Sequence, residues 1–263
     1  MPESALLLSA GYGTRLRPLT NSWPKCLMPV HGTPLLEHWL RALIDLGLEN
    51  ILVNTHHHAK FVDEFLARKI FSAKVKSMFE PTLLGTAGSV RANASLLSSG
   101  SVLLVHADNW CQCDLHKFFK FHYQCRAKKS SDHAITMMTF RTSEPKSCGI
   151  VELDENGFVQ KMHEKCQNTP SNLANAAVYI IEQEVVRWII ENPDVTDFST
   201  QVLNHYMGRI SAWENTQIHR DIGSIEMLAK AQNEGHPIVE ISDEWTLKFK
   251  ENQVQKAVFG ADK

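Results

Sequence analysis

The sequence predicts an α/β fold with a mostly parallel central sheet. Along the first 130 residues, short apolar runs alternate with amphipathic stretches. SVLLVHAD (101–108) is a continuous apolar run of the kind that a strand buried on both faces shows, whereas PLLEHWLRALIDLGL (34–48) has helical spacing. The 263 residues, 43% of them hydrophobic, suffice to bury a full core. Alternating strands and helices predict parallel strands with right-handed crossovers. Because the sequence has no repeat, no low-complexity segment and no linker rich in Gly, Pro or Ser, we expect one continuous sheet rather than separate domains.

The same patterns predict the remaining elements. In the first half, apolar and amphipathic stretches alternate at 5–9, 50–55, 59–70, 75–80 and 87–97. In the second half, CGIVELDENGFVQKMHEK (148–165) contains a DENG hairpin turn. A buried strand at 175–182 then precedes helical patterns at 184–191 and 197–207. Residues 237–263 have weak periodicity, and we expect them to form an appendage at the surface.

Charge and composition narrow the classes of function. Acidic and basic residues nearly cancel, 29 against 27, so no global charge favours a nucleic acid or an anionic membrane as partner. No segment approaches the roughly 20 apolar residues of a membrane-spanning helix. The six cysteines lack paired spacing, which favours reduced thiols over a disulfide framework. We therefore expect a cytoplasmic protein in which any phosphate binding is local.

A glycine-rich turn follows the first predicted strand in ALLLSAGYGTRLRPLT (5–20). Ligands bind at the carboxyl edge of a parallel sheet, and glycines there let backbone N–H groups approach phosphate oxygens. The turn is not a Walker A loop, because Lys25 lies far from the glycines. It is not a dinucleotide fingerprint, because Arg15 and Arg17 stand where small residues are needed. Taken alone, the pattern leaves a phosphate site and a simple tight turn both open.

The longer segment GYGTRLRPLTNSWPKCLMPV (11–30) resembles the signature of the sugar-1-phosphate nucleotidyltransferases. Further stretches in family order extend the resemblance over about residues 4 to 230, namely EPTLLGTAG (80–88), HAD (106–108), EK (164–165), NAAVYI (175–180) and DIGSIE (221–226). The resemblance implies a Rossmann-like three-layer α/β/α sandwich, with a nucleotidyltransferase domain at 1–236 and the appendage at 237–263. It also implies that the glycine-rich turn binds a nucleoside triphosphate.

The resemblance implies that a sugar 1-phosphate oxygen attacks the α-phosphorus of the triphosphate and expels pyrophosphate. Such a transfer depends on positioning and electrostatic stabilisation. The residues implied in catalysis are Arg15, Lys25 and Asp108. Those implied in nucleotide binding are Ala10, Gly11, Gly13, Thr14, Arg15, Glu80, Gly85 and Thr86. Asp108 and Asp221 are the implied ligands of Mg²⁺. The implied sugar-phosphate site consists of Gly149, Glu164, Lys165 and Asn175.

Several of these residues also fit structural roles. Asp221 precedes IGSIEML and would fit the N-cap of a helix. Glu164 and Lys165 would fit a solvated pair on a hairpin, and Glu80 would fit a strand end that binds a backbone amide.

The expected nucleotide is GTP, because the family reads the base from the position of Glu80, at the end of VKSMFE (75–80). One carboxylate accepts both N1–H and N2–H₂ of guanine, whereas uracil and thymine present one N–H between two carbonyls. The expected acceptor is mannose 1-phosphate or a related hexose or heptose 1-phosphate. Uridylyl or thymidylyl transfer to another sugar 1-phosphate remains an alternative, as does a non-catalytic regulatory subunit that binds nucleotide sugars. Assembly into a homo-oligomer also remains open.

Overall fold

The computed structural model describes residues 2–97, 99–128, 132–164, 169–239, 241–252, 254 and 257–258. The strands are β1 (Ser4–Leu8), β2 (Pro29–Val30), β3 (Thr33–Pro34), β4 (Ile51–Thr55), β5 (Val75–Phe79), β6 (Val102–His106), β7 (Asn109–Gln112), β8 (Ile135–Arg141), β9 (Gly149–Leu153), β10 (Val159–Glu164), β11 (Leu173–Ile181), β12 (Ile210–Glu214) and β13 (Ile218–Asp221).

The helices are α1 (Leu35–Asp45), α2 (Ala59–Leu66), α3 (Thr86–Asn93), α4 (Leu115–Ala127), α5 (Gln183–Glu191), α6 (Leu203–His205), α7 (Ile225–Ala231) and α8 (Glu244–Glu251). A π-helical turn, Phe198–Val202, precedes α6. The chain forms two compact units. The first consists of Met1–Leu6, Leu84–Val105 and Cys113–His219, and the second of Leu7–Leu83, His106–Gln112 and Arg220–Lys263.

The first unit is organised around β11. This strand runs antiparallel to β6, β8 and β9, while β10 pairs antiparallel with β9 and β12 pairs parallel with β8. Its residues from Val178 to Ile181 are fully buried, as in a central strand covered on both faces. The register against β8 shifts between Asn175 and Tyr179, and Ala177 there has a φ of 53°. This irregularity changes the direction of the side chains in the first half of β11.

In the second unit, β4 and β5 lie side by side and run parallel. All five residues of β4 are buried. Helix α1 buries its apolar stripe at the predicted helical spacing, including Leu36, Leu40 and Leu43. Near the end of the chain, α8 is capped by Asp243 and buries Phe249, which stacks on Trp245 and on Trp23. Residues 244–251 are therefore packed into the second unit, to which they belong.

The predicted fold class is confirmed, since the protein is mixed α/β with a central, largely parallel sheet. The predicted strand at 101–108, helix at 34–48 and DENG hairpin are found as β6, α1 and the β9–β10 pair. The predicted parallel arrangement does not extend to β11, because its partners run antiparallel to it. Among the described helices, none has the length and apolar character needed to cross a bilayer.

Candidate functional site

The glycine-rich turn leaves the end of β1 and is held by hydrogen bonds within the second unit. The backbone N–H groups of Ser9 and Ala10 donate to Asn54 Oδ1, at 2.6 and 3.3 Å. Gly13 has a φ of 61°, and a Cβ there would lie 2.9 Å from Thr20 Cγ2 and 3.0 Å from Lys25 Cβ. Glycine is therefore required at this position both by backbone conformation and by the close approach of Lys25.

The rest of the turn is less constrained. A Cβ at Gly11 would meet no heavy atom within 4 Å, so packing does not require glycine there. Thr14 begins a short 3-10 turn that also contains Arg15, whose side chain is 70% exposed. The Thr20 hydroxyl donates to the Gly13 carbonyl at 2.8 Å and fixes the far side of the loop. The turn thus combines a fixed backbone at Gly13 with an arginine directed toward solvent.

Lys25 lies between two carboxylates that come from distant parts of the chain. Its Nζ donates to Asp108 Oδ2 at 2.6 Å and to Asp221 Oδ1 at 3.4 Å. The lysine side chain is 9% exposed, whereas those of Asp108 and Asp221 are 32% and 52% exposed. Arg15 Nη2 is 3.4 Å from Asp221 Oδ2. The second unit therefore brings four predicted site residues together, with carboxylate oxygens accessible to solvent.

Two backbone features place these aspartates. Asp108 follows β6 in a turn whose Ala107 N–H donates to the Leu8 carbonyl at 3.0 Å, which ties this turn to the end of β1. Asp221 ends β13, which pairs with β7. The alternative role of Asp221 as a helix cap is wrong, because Ser224 caps α7 and accepts from Met227 N–H.

The charges in this cluster stabilise one another. Burial lowers the pKa of Lys25, but the carboxylates of Asp108 and Asp221 raise it by more, so the net pKa lies above the ordinary lysine value. Burial raises the pKa of Asp108, but Lys25 lowers it by more, so the net pKa lies below the ordinary aspartate value. Lys25 and Asp108 are therefore both ionised near neutral pH.

The two aspartates suit a hard divalent cation. Mg²⁺ is commonly held by one or two carboxylates together with substrate phosphates and waters, and does not need a cage of protein ligands. Asp108 and Asp221 converge on one point, Lys25 Nζ, and both keep exposed oxygen atoms. Within the described part of the chain, no group of three or more His, Cys, Asp and Glu side chains could hold a metal ion. The donor set therefore fits a cation that shares its coordination with a substrate.

Glu80 follows β5 and lies in a buried polar cluster. Its side chain accepts a hydrogen bond from Asn54 Nδ2 at 2.9 Å, and the residue is 4% exposed. Its backbone N–H donates to the Thr55 carbonyl at 2.8 Å, and its own carbonyl is 2.8 Å from His56 Nδ1. Glu80 is therefore fixed in both backbone and side chain. Its predicted role as reader of the base remains a prediction.

The other predicted nucleotide-binding residues, Gly85 and Thr86, belong to the first unit. Gly85 has a φ of 76°, and a Cβ there would overlap the Thr196 carbonyl oxygen. The Thr86 hydroxyl accepts from Phe198 N–H at 2.7 Å. Both residues thus have a structural reason to be present at the start of α3, and their binding role stays a prediction.

Three predicted sugar-phosphate residues lie together in the first unit. A Cβ at Gly149 would lie 2.8 Å from Glu164 Oε1, because the two residues are paired across β9 and β10. Asn175 Nδ2 donates to the Tyr179 hydroxyl at 2.7 Å, and its Oδ1 accepts from Ala177 N–H at 2.9 Å. Asn175 therefore stabilises the irregular stretch of β11. Lys165, the fourth predicted residue, lies outside the described residues.

Sequence reasoning missed Asn54 and His56, which contact both the glycine-rich turn and Glu80. Besides its bond to the Glu80 carbonyl, His56 has Nε2 3.1 Å from the Tyr12 hydroxyl. A signal was present in NILVNTHHH (50–58), where two polar residues with period-two spacing end a buried strand. Such residues lie on one face of the strand and can act together.

Comparisons with known proteins place the chain in one family. The family model described as nucleotidyl transferase matches residues 4–236. The catalytic subunit beta of mannose-1-phosphate guanylyltransferase from Drosophila melanogaster is 33% identical over 193 residues, which are 72% of this chain and 51% of that protein. Mannose-1-phosphate guanylyltransferase from Mycobacterium tuberculosis is 31% identical, over 73% of this chain and 52% of that protein. The chain thus spans about half the length of these curated relatives.

A solved structure supports the fold. UDP-glucose pyrophosphorylase complexed with UDP-glucose superposes with a TM-score of 0.72 at 19% sequence identity, covering 89% of this chain and 98% of that chain. The family model covers most of the chain and includes the glycine-rich turn, Lys25, Asp108 and Asp221. The resemblance inferred from the sequence motifs is thereby confirmed, and the chain belongs to the nucleotidyl transferase family.

Proposed function

We propose that the protein is a sugar-1-phosphate nucleotidyltransferase that forms a nucleotide sugar and pyrophosphate. The observation that carries this proposal is the position of Lys25, beside Gly13 and within hydrogen-bond distance of Asp108 and Asp221. A buried cation next to a glycine-rich turn suits a phosphate group, and exposed carboxylate oxygens beside it suit a cation bound to the same phosphate.

Lys25 would stabilise the negative charge that grows on the α-phosphoryl group. Its charge is already positioned by the two aspartates, so little reorganisation accompanies the transfer. Arg15, exposed beside the turn, would bind the pyrophosphate with its planar guanidinium. Backbone N–H groups of the turn at Gly11, Gly13 and Thr14 would position the triphosphate. No covalent intermediate with the protein is needed.

Asp108 and Asp221 are the residues that would hold Mg²⁺. When bound, the ion would neutralise phosphate charge and orient the triphosphate. The aspartates would then exchange part of their interaction with Lys25 for the ion, which their exposed oxygens allow.

The proposed nucleotide is GTP and the proposed acceptor is mannose 1-phosphate or a related hexose or heptose 1-phosphate. The carboxylate of Glu80 suits the two adjacent donors of guanine, and two relatives are named mannose-1-phosphate guanylyltransferases. Gly85 and Thr86 would contribute to the nucleotide site. Gly149, Glu164, Lys165 and Asn175 are the residues that we propose for the sugar phosphate.

Uridylyl transfer is the second candidate, because a solved structure of the same fold binds UDP-glucose. A non-catalytic regulatory subunit is less well supported, since Arg15, Lys25, Asp108 and Asp221 are all present and gathered in one cluster.

A screen of pyrophosphate release tests the proposal. Five nucleoside triphosphates would be combined with a panel of sugar 1-phosphates, with and without Mg²⁺. We expect release only when triphosphate, sugar 1-phosphate and Mg²⁺ are all present, with the highest kcat/KM for GTP. A preference for UTP would overturn the base assignment alone. Binding of nucleotide sugars without turnover of any pair would replace the enzyme by the regulatory subunit.

A further inference from the structure

Asn54 connects the glycine-rich turn to Glu80 through both ends of its amide. Its Oδ1 accepts from the N–H groups of Ser9 and Ala10, and its Nδ2 donates to Glu80 Oε1. Its backbone carbonyl accepts from the Ser9 hydroxyl at 2.5 Å. The residue is 3% exposed, so these bonds form in a nearly water-free environment where they hold geometry strongly. One side chain thus joins two elements that are separate in sequence.

A second bridge lies two residues further along the chain. His56 has one ring nitrogen 2.8 Å from the Glu80 carbonyl and the other 3.1 Å from the Tyr12 hydroxyl. Because alternate residues of a strand lie on the same face, Asn54 and His56 reach the same two elements from the end of β4. Two side chains, Asn54 and His56, therefore each fix the position of Glu80 relative to the turn.

We propose that Asn54 is a positioning residue that sets nucleobase preference by holding the Glu80 carboxylate in register with the glycine-rich turn. This inference rests on the proposed nucleotide site. If the turn holds phosphates and Glu80 reads the base, their separation decides whether a bound nucleotide presents its base edge to the carboxylate. The bond from Asn54 fixes the orientation of the Glu80 carboxylate, which accepts at both of its oxygens.

An amide is the side chain that this position requires. It must accept from two backbone N–H groups at one end and donate to a carboxylate at the other, and among side chains of this size only asparagine does both. In Asn54→Asp the acceptor toward Ser9 and Ala10 is kept and only the donor to Glu80 is lost. The substitution also places two carboxyl groups within hydrogen-bond distance, so that the Glu80 carboxylate is repelled or shares a proton with Asp, and in both cases presents a weaker double acceptor to guanine.

The experiment measures equilibrium binding of GTP and UTP with Mg²⁺ and without sugar 1-phosphate, and then kcat/KM for both. Variants are Asn54→Asp, Glu80→Gln and the double variant Asn54→Asp/Glu80→Gln, which restores a hydrogen bond with donor and acceptor exchanged. The matched control is Thr55→Val, which removes a buried hydroxyl from the same strand, 3.3 Å from Ser77 Oγ, without touching Ser9 or the Glu80 side chain.

In Asn54→Asp we expect the ratio of GTP to UTP affinity to fall by about tenfold, the effect of losing a hydrogen bond to a charged group. Thr55→Val should lower the melting temperature and change the ratio by less than about twofold. The double variant should bind both nucleotides as strongly as Glu80→Gln does, and should keep the low ratio of GTP to UTP affinity of that variant. If Asn54→Asp does not fold, the double variant and Glu80→Gln still decide the question.

The inference is overturned if Asn54→Asp changes the affinity for GTP and for UTP to the same extent, or if the double variant binds both nucleotides more weakly than Glu80→Gln does. It is also overturned if Thr55→Val shifts the ratio as much as Asn54→Asp does. Failure of the proposed function gives a different result. In that case the parent protein binds nucleotides with an Asn54-dependent ratio but releases no pyrophosphate with any sugar 1-phosphate.

Discussion

The second unit contains two clusters of ion pairs that differ in how far their carboxylates are exposed to solvent. In one, the Arg68 guanidinium donates to Glu37 Oε2 at 2.5 Å, to Asp243 Oδ2 at 2.7 Å and to Thr246 Oγ1 at 3.1 Å. Arg68 and Glu37 are only 3% and 4% exposed. In the other, Lys25 is 9% exposed and neither of its carboxylate partners is buried, since Asp108 and Asp221 are 32% and 52% exposed. The first cluster thus contains a buried carboxylate, Glu37, beside the 31% exposed Asp243, and the second contains none.

The difference concerns what each cluster can still bind. The Arg68 guanidinium also lies over three aromatic rings, Phe65, Phe71 and Trp245, at 5.1–5.3 Å from their centroids. Its donors are directed at protein acceptors and its faces are covered, so it holds the C-terminal helix α8 in place. A lysine is a point charge with three donors that rotate freely, and it can exchange a carboxylate for a phosphate. We therefore interpret the first cluster as structural and the second as functional.

The largest effect is expected from Asp108→Asn. The amide keeps the size of the side chain but weakens a hard anionic ligand, and loss of metal charge stabilisation of several kcal/mol corresponds to about a thousandfold decrease in kcat. Asp221→Asn should act in the same direction. Pyrophosphate release and the Mg²⁺ concentration for half-maximal activity are the measurements. Near-normal rates in both variants, with unchanged Mg²⁺ dependence, would break the functional interpretation of the open cluster.

Lys25→Met should lower kcat by about a hundredfold, the typical cost of removing one preorganised donor to a developing charge. KM for the triphosphate should change much less, because the interaction strengthens in the transition state. The unfolding free energy should fall by less than in Arg68→Leu, because both aspartates are partly exposed and can be solvated in the variant. A rise in KM with kcat unchanged would make Lys25 a ground-state anchor instead.

Arg68→Leu should lower the stability and leave kcat nearly unchanged, which is the reverse of the effect expected for Lys25→Met. Removing Arg68 leaves the buried Glu37 carboxylate with the longer contact to Arg41, at 3.8 Å, and costs about 3 kcal/mol of unfolding free energy. The kcat of the folded protein should remain close to that of the parent. Urea unfolding and kinetics at a temperature where the variant is folded measure both. Arg15→Leu is the matched control, because Arg15 is 70% exposed and its loss should change stability by less than about 0.5 kcal/mol. Equal destabilisation by both variants would contradict the comparison.

The sequence predicted the members of the open cluster and missed the closed one, for a physical reason. The family resemblance implied Lys25, Asp108 and Asp221, because each stands in a short stretch that matches a motif of the family. Arg68 has partners 31 and 175 residues away, and no local pattern links them. The weak periodicity of residues 237–263 led us to expect a surface appendage. A capping signal was present there, since Asp243 precedes Thr246 by three residues in SDEWTLKF (242–249).

The sequence predicted the residues proposed to bind substrate, but not the residues that hold them in position. Gly13 and Lys25 could be assigned to one site because both belong to the segment 11–30 that resembles the family signature. Asn54 and His56 could not, because their role depends on which strand lies beside β1, and sequence patterns do not give strand order. Similarly, Asn175 was assigned to the sugar, but only the register shift of β11 reveals that it also stabilises the backbone at Ala177.

The smallest expected effect is the response of stability to pH. It separates the two clusters, because the pKa of Glu37 is shifted upward and that of Asp108 is shifted downward. Burial raises the pKa of Glu37 and Arg68 lowers it by less, so the net pKa lies above the ordinary value. The stability due to Glu37 is then fully present below its unfolded pKa of about 4.3 and is lost as pH rises through the folded pKa.

Asp108 shows the reverse, because Lys25 holds its folded pKa below the unfolded value of about 3.9. The stability that it contributes is present above that pH and is lost as pH falls through the folded pKa. We therefore expect the difference in unfolding free energy between the parent and Asp108→Asn to shrink below about pH 3.9, and that between the parent and Glu37→Gln to shrink as pH rises above about 4.3. Urea unfolding of the three proteins between pH 2.5 and 7, at fixed ionic strength, measures both differences. If both differences shrink in the same direction of pH, the two clusters do not differ in their electrostatics, and the distinction between a closed structural cluster and an open functional one would rest on exposure alone.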